Sequence, residues 1–237
     1  MKPDVICGPR AVAALFARRP DDVLRLFYLA EQRPRVGDWC AALAAARKPY
    51  RMVEAEEMAK VAATTHHGGI AAVAKPRDIP RLDPARPPRH NLLLVLDGVG
   101  NPHNLGAIAR SAAFFGVRAL LLAETPGAAM PSDAAYRTAA GGLEWLDLFR
   151  TRDLPAALAL LDPHYRTVAA GLGPDSRPLQ ELPRDRPVAL VLGQEERGVS
   201  APVLAACRRQ VRIVGSPRVQ SLNVAQAAAV LLHALCG

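Results

Sequence analysis

Residues 92–110 read LLLVLDGVGNPHNLGAIAR. Five aliphatic side chains, Leu92 to Leu96, run without alternation and stop at Asp97. A short unbroken apolar run suits a parallel strand covered on both faces, whereas a half-solvated strand would alternate. Gly98-Val99-Gly100 then turns the chain, and the apolar spacing from Asn104 to Phe115 predicts a helix stopped by Gly116. Strand, turn and helix make one β–α unit. The turn excludes two nucleotide-binding patterns. After Gly98-x-Gly100 the dinucleotide fingerprint needs a glycine where His103 stands, and no Gly-Lys-Ser/Thr occurs anywhere in the chain.

Downstream the same unit repeats. Strands are expected at Arg118–Leu122, Thr167–Ala170, Val188–Leu192 and Val211–Val214, with helices over Leu154–Leu161 and from Ser200, a good N-cap, through Cys207. The last helix, Val224–Leu235, is apolar nearly all round and must be buried in the core or against a second subunit. This is an α/β domain with a parallel sheet between helices. Upstream, Gly8-Pro9 opens a helix carrying Val12, Leu15 and Phe16. A strand over Val23–Leu29, a helix capped by Asp38 and running to Ala46, a helix Glu54–Ala63, and a strand Ile70–Ala74 complete a small α/β domain. Between the two lies KPRDIPRLDPARPPRH, residues 75–90, whose five prolines and four arginines hold neither helix nor ladder. The expected division is 1–75, the small α/β domain; 76–90, a Pro/Arg-rich linker; and 91–237, the larger parallel α/β domain.

The 237 residues are 50% apolar, which supports one or two cores. The net charge of +8 is uneven. Residues 1–90 carry 16 basic and 10 acidic side chains, residues 91–237 carry 14 and 12, so the polyanion-gripping surface belongs to the N-terminal part. Cys7, Cys40, Cys207 and Cys236 form no Cys-x-x-Cys pair, which argues against a zinc site or a disulfide framework. His66 and His67 read as turn or RNA-facing residues, and His103 as part of the turn before the helix, rather than as metal ligands. No apolar run is long enough for a membrane, and Met1-Lys2-Pro3-Asp4 leads into no apolar stretch with a cleavage site, so a cytoplasmic protein is expected.

Three segments carry a resemblance. Asn104-Leu105-Gly106-Ala107-Ile108-Ala109-Arg110 resembles motif 1, Leu192 to Ser200 resembles motif 2, and Ile213 to Ala225, centred on Ser221-Leu222-Asn223-Val224, resembles motif 3 of the SpoU (TrmH-like) RNA 2′-O-ribose methyltransferases of the SPOUT superfamily. Gly8-Pro9-Arg10-Ala11-Val12 and Thr65-His66-His67-Gly68-Gly69-Ile70 resemble that family's ribosomal-protein-like substrate-binding domain. Gln194 departs from the pattern, standing where motif 2 usually has Asn or a smaller residue.

The resemblance implies a trefoil-knotted catalytic domain that dimerises, S-adenosylmethionine as methyl donor, no metal, and RNA as substrate. It assigns catalysis to Arg110, Asn104, Glu195, Ser221 and Asn223, with Glu195 holding Arg110 or the substrate. Leu192, Gly193, Gly198, Ile213 and Leu222 match the positions that line the cofactor. 23S ribosomal RNA is the expected substrate and transfer RNA the second choice. The rival from another class is a non-catalytic RNA-binding or assembly protein that keeps the fold.

Overall fold

The computed structural model describes residues 2–236. In the first part, β1 (Asp4–Cys7), α1 (Pro9–Arg18), β2 (Val23–Tyr28), α2 (Arg33–Ala45), β3 (Tyr50–Met52), α3 (Ala55–Ala62) and β4 (Ile70–Ala74) build a four-stranded sheet in the order β1-β4-β2-β3. β4 is antiparallel to both neighbours, and β2 and β3 are parallel. Asp38 does not cap α2. It lies inside a helix that starts five residues earlier, where Pro34 occupies the first turn, the position in which a missing N–H does no harm.

The second part contains β5 (Leu92–Asp97), α4 (Pro102–Phe114), β6 (Ala119–Ala123), α5 (Asp133–Ala139), β7 (Asp147–Thr151), α6 (Leu154–Leu161), β8 (Arg166–Ala170), β9 (Arg177–Pro178), β10 (Val188–Gly193), α7 (Ala201–Ala206), β11 (Arg209–Arg212) and α8 (Val224–Cys236). Its seven strands are all parallel, in the order β7-β6-β5-β10-β8-β11-β9. Every residue of β5, β6 and β10 is buried. Strand alternation divides them between two layers. Leu92, Leu94, Leu96, Leu190 and Leu192 share a core with residues of α4 and α8, while Leu93, Val95, Ala189 and Val191 pack with residues of α6 and α7.

The unbroken aliphatic runs therefore mark the sheet's centre, as their lack of alternation requires. α5 and β7 were not expected. The sequence DLFRT has no apolar run, and β7 is an edge strand with only Leu148 buried. β11 ends at Arg212 rather than Val214, because the chain leaves the sheet there.

Residues 76–90 do not hang free. Arg81 forms a parallel bridge with Arg150, Leu82 N donates to Arg150 O at 3.0 Å, and Arg150 N donates to Pro80 O at 3.0 Å. The segment thus lies along β7, and Leu82 is buried beneath it. No described helix is long and apolar enough to cross a membrane.

Candidate active site

The carboxyl ends of β5 and β10 lie side by side, Gly193 opposite Asp97 in the register. This is where open α/β sheets hold ligands. β5 delivers α4. Asn101, not Asn104, is the N-cap of that helix: its side chain accepts from His103 N at 2.8 Å. Asn104, one turn in and half-buried, is thereby left free for other work.

That work is a three-residue junction. Asn104 Nδ2 donates to Glu195 Oε1 in the loop after β10, and Asn223 Nδ2 donates to Asn104 Oδ1 at 3.2 Å. Asn223 also caps α8, its Oδ1 accepting from Ala225 N at 2.9 Å. Glu195 thus has Asn104 and not Arg110 as its partner. Six positions along a helix rotate a side chain by about 240°, so Arg110 projects from a different face than Asn104. It is exposed and forms no hydrogen bond or ion pair among the described residues. Glu196 is exposed.

Beside the junction opens a cleft of about 1180 Å³. Leu192, Gly193, Glu195, Gly198, Ile213, Ser221 and Leu222 all line it. Leu222 is 47% exposed and Val219 71%, so the cleft wall carries uncovered apolar surface. Gly193 must be bare for the fold itself. A Cβ there would lie 2.0 Å from Gly198 C, so the strand end presses on the returning motif 2 loop. That loop closes on itself, Gln194 N to Gly198 O at 3.0 Å and Gly198 N to Gln194 O at 2.8 Å.

Several lining residues escaped the sequence reading. Gly171, Leu172 and Gly173 enter from the β8–β9 connection, and Gln210 and Arg212 from β11. Nothing local marks them, since they reach the cleft only because β11 is inserted between β8 and β9. Asp97 was read as a strand terminator. It is buried, and its Oδ2 accepts from Ser200 N at 2.7 Å, tying the exit of the motif 2 loop to β5. Among the described residues no group of three His, Cys, Asp or Glu could hold a metal ion. His67 is buried and its Nδ1 accepts from Gly69 N at 3.0 Å, while His103 Nδ1 pairs with Thr138 Oγ1 at 3.0 Å.

A profile described as the SpoU rRNA Methylase family matches residues 91–233, which takes in the junction and the whole cleft. The chain belongs to the SpoU methylase family. A second profile, RNA 2′-O ribose methyltransferase substrate binding, matches residues 5–80. Among SpoU relatives, the chain is 31% identical to YfiF of Escherichia coli O157:H7, an uncharacterised tRNA/rRNA methyltransferase, over 96% of this chain but only 66% of that protein. It is 29% identical to the 23S rRNA (guanosine-2′-O-)-methyltransferase RlmB of Acinetobacter baylyi, over 99% of this chain and 97% of the relative. Among solved SpoU-type structures, a TrmH-family RNA methyltransferase of Porphyromonas gingivalis superposes with a TM-score of 0.76 at 26% identity, covering 99% and 89% of the two chains.

Proposed function

We propose that this SpoU protein transfers a methyl group from S-adenosylmethionine to a ribose 2′-hydroxyl of ribosomal RNA, with 23S RNA the first choice. The observation that carries the reading is the Asn104–Glu195–Asn223 junction at the rim of the cleft, with one residue from each of the three motifs. The near full-length similarity to RlmB supports the ribosomal substrate over transfer RNA. A ribosomal RNA substrate supports a cytoplasmic site of action. Five intact motif residues, Asn104, Arg110, Glu195, Ser221 and Asn223, weigh against a non-catalytic descendant.

The cleft fits the cofactor. At about 1180 Å³ it exceeds the roughly 300–1,000 Å³ of ordinary small-molecule pockets. Ile213 and Leu222 offer an apolar wall for an adenine, and the irregular backbone of 194–198 and 213–222 leaves polar groups outside any sheet ladder. We assign Leu192, Gly193, Gly198, Ile213 and Leu222 to that role. The insertion of β11 between the earlier strands β8 and β9 supports a knotted path for this region.

Bound S-adenosylmethionine supplies a methyl carbon on a sulfonium that departs as a neutral thioether. The ribose hydroxyl releases its proton to solvent water as it attacks, and Arg110 stabilises the alkoxide that develops there, since a guanidinium keeps its own proton in a protein. Asn104, oriented from both sides by Glu195 and Asn223, holds the nucleotide, and Ser221 faces it from the cleft wall.

A homodimer completes this reading. α4 and α8 pack together, and Phe114 at 81% exposure and Val230 at 43% leave apolar surface on that pair. The test is incubation with methyl-labelled S-adenosylmethionine and either protein-free ribosomal RNA or transfer RNA, followed by digestion. The label should remain on a ribose after base removal, and that linkage should resist alkali. A methyl on a base, or labelling of transfer RNA alone, would overturn the assignment.

A further inference from the structure

Arg110 stands exposed, yet the backbone beneath it is gripped. The 3-10 turn Gly142–Trp145, between α5 and β7, packs against α4 at that point. A Cβ on Gly142 would lie 2.8 Å from both Ala109 O and Arg110 Cα, so the two main chains meet with no side chain between them. Gly141 faces the other way. With φ at +97° it takes a conformation that suits glycine, and a Cβ there would lie 3.0 Å from Ala14 Cβ and Arg10 O of α1. Two adjacent glycines therefore separate the first helix of the N-terminal part from the backbone of Arg110.

The same turn is clamped by three arginines of the N-terminal part and the segment that follows it. Glu144, 1% exposed, receives a two-pronged grip from Arg19: Nε to Oε2 at 2.8 Å and Nη2 to Oε1 at 3.0 Å. Arg77 donates to the carbonyl oxygens of Leu143 and Leu146, and its Nη1 lies 3.8 Å from Glu144 Oε2. Arg18 donates to Glu144 O at 3.3 Å and covers the Trp145 ring. Forked pairs of this kind fix geometry as well as charge. The face of the turn opposite the clamp is the main chain of the proposed catalytic arginine.

We propose that Arg19, Arg77, Glu144 and Gly142 are positioning residues for methyl transfer, setting where Arg110 stands relative to RNA held by the N-terminal part. This rests on the reading of Arg110 as the group that acts on the ribose. Through a rigid turn two glycines thick, a displaced N-terminal part displaces Arg110. A misplacement of about 1 Å far from the reacting atoms can lower a rate by about a hundredfold.

The experiment uses the full chain, labelled S-adenosylmethionine and protein-free ribosomal RNA, with single-turnover rates taken where circular dichroism shows each variant fully folded. Gly142→Ala and Arg19→Lys should lower the rate tenfold to a hundredfold while leaving cofactor affinity unchanged. A seam that serves only stability would lower the melting temperature and leave that rate alone, which overturns the proposal. Glu144→Gln should behave like Arg19→Lys; if it does not fold, Gly142→Ala, which keeps every charge, decides. Adding Gly142→Ala to Arg110→Ala should cost nothing further, since the effect passes through Arg110. An additive loss overturns the proposal. A wild-type rate for Arg110→Ala alone is a different result: it refutes the catalytic reading and takes the positioning argument with it.

Discussion

Asn223 donates its side-chain amide to Asn104 at 3.2 Å, although 119 positions separate the two residues. The same Asn223 caps α8 through Ala225 N, and the same Asn104 donates to Glu195. One asparagine therefore secures the start of the last helix while orienting the Asn104 amide.

Asn223→Ala should show both losses. Removing the cap destabilises the chain by about 1 kcal/mol, read from urea unfolding. Turnover should fall further than the folded fraction accounts for. Equal losses in stability and activity would reduce Asn223 to a cap.

Asn104→Ala removes a hydrogen bond to a carboxylate, worth about 1.5–3 kcal/mol, and turnover should drop tenfold or more. Because Glu195 acts through the same bond, the double variant Asn104→Ala with Glu195→Ala should be little worse than either single one. Additive losses in kcat would show that the two residues act apart.

Arg110→Ala should lower turnover by roughly two to three orders of magnitude, the usual loss when one transition-state electrostatic contact is removed. Arg110 does not line the cleft, so calorimetric affinity for S-adenosylmethionine should stay at the wild-type value. A parallel fall in cofactor affinity would move Arg110 into the binding site.

Burial pushes the Cys207 thiol up to about 12, and the nearby Asp97 carboxylate adds to the rise. An unfolded thiol titrates near about 8.5. The folded chain thus holds this proton more tightly, so its contribution to stability is complete below the unfolded value and is lost as pH rises toward 12. Wild-type stability should fall with a steeper slope than that of Cys207→Ala over this range. At pH 8 iodoacetamide, which needs the thiolate, should leave Cys207 unlabelled in the folded chain. Prompt labelling there would contradict the burial argument.

RNA affinity should weaken steeply with added salt, since the basic excess sits mainly in the first 90 residues and phosphate neutralisation releases counterions. Binding that barely responds to salt would assign recognition to base contacts instead.

By itself the sequence determined the parallel α/β core, because Leu92–Leu96 and Val188–Leu192 are unbroken apolar windows too short for a helix and suit a strand buried on both faces. It also determined the three motif segments and, with them, the family. Only the tertiary structure decided which motif residues meet. Glu195 reaches Asn104 across 91 positions because β10 lies beside β5, and strand order is a property of the whole sheet, not of any window. The docking of residues 76–90 along β7 and the grip of Arg19 and Arg77 on the turn at Glu144 were equally out of reach. A proline-rich segment has no periodicity to read, and a lone glutamate or arginine in sequence resembles any solvated charge until folding buries its partner against it.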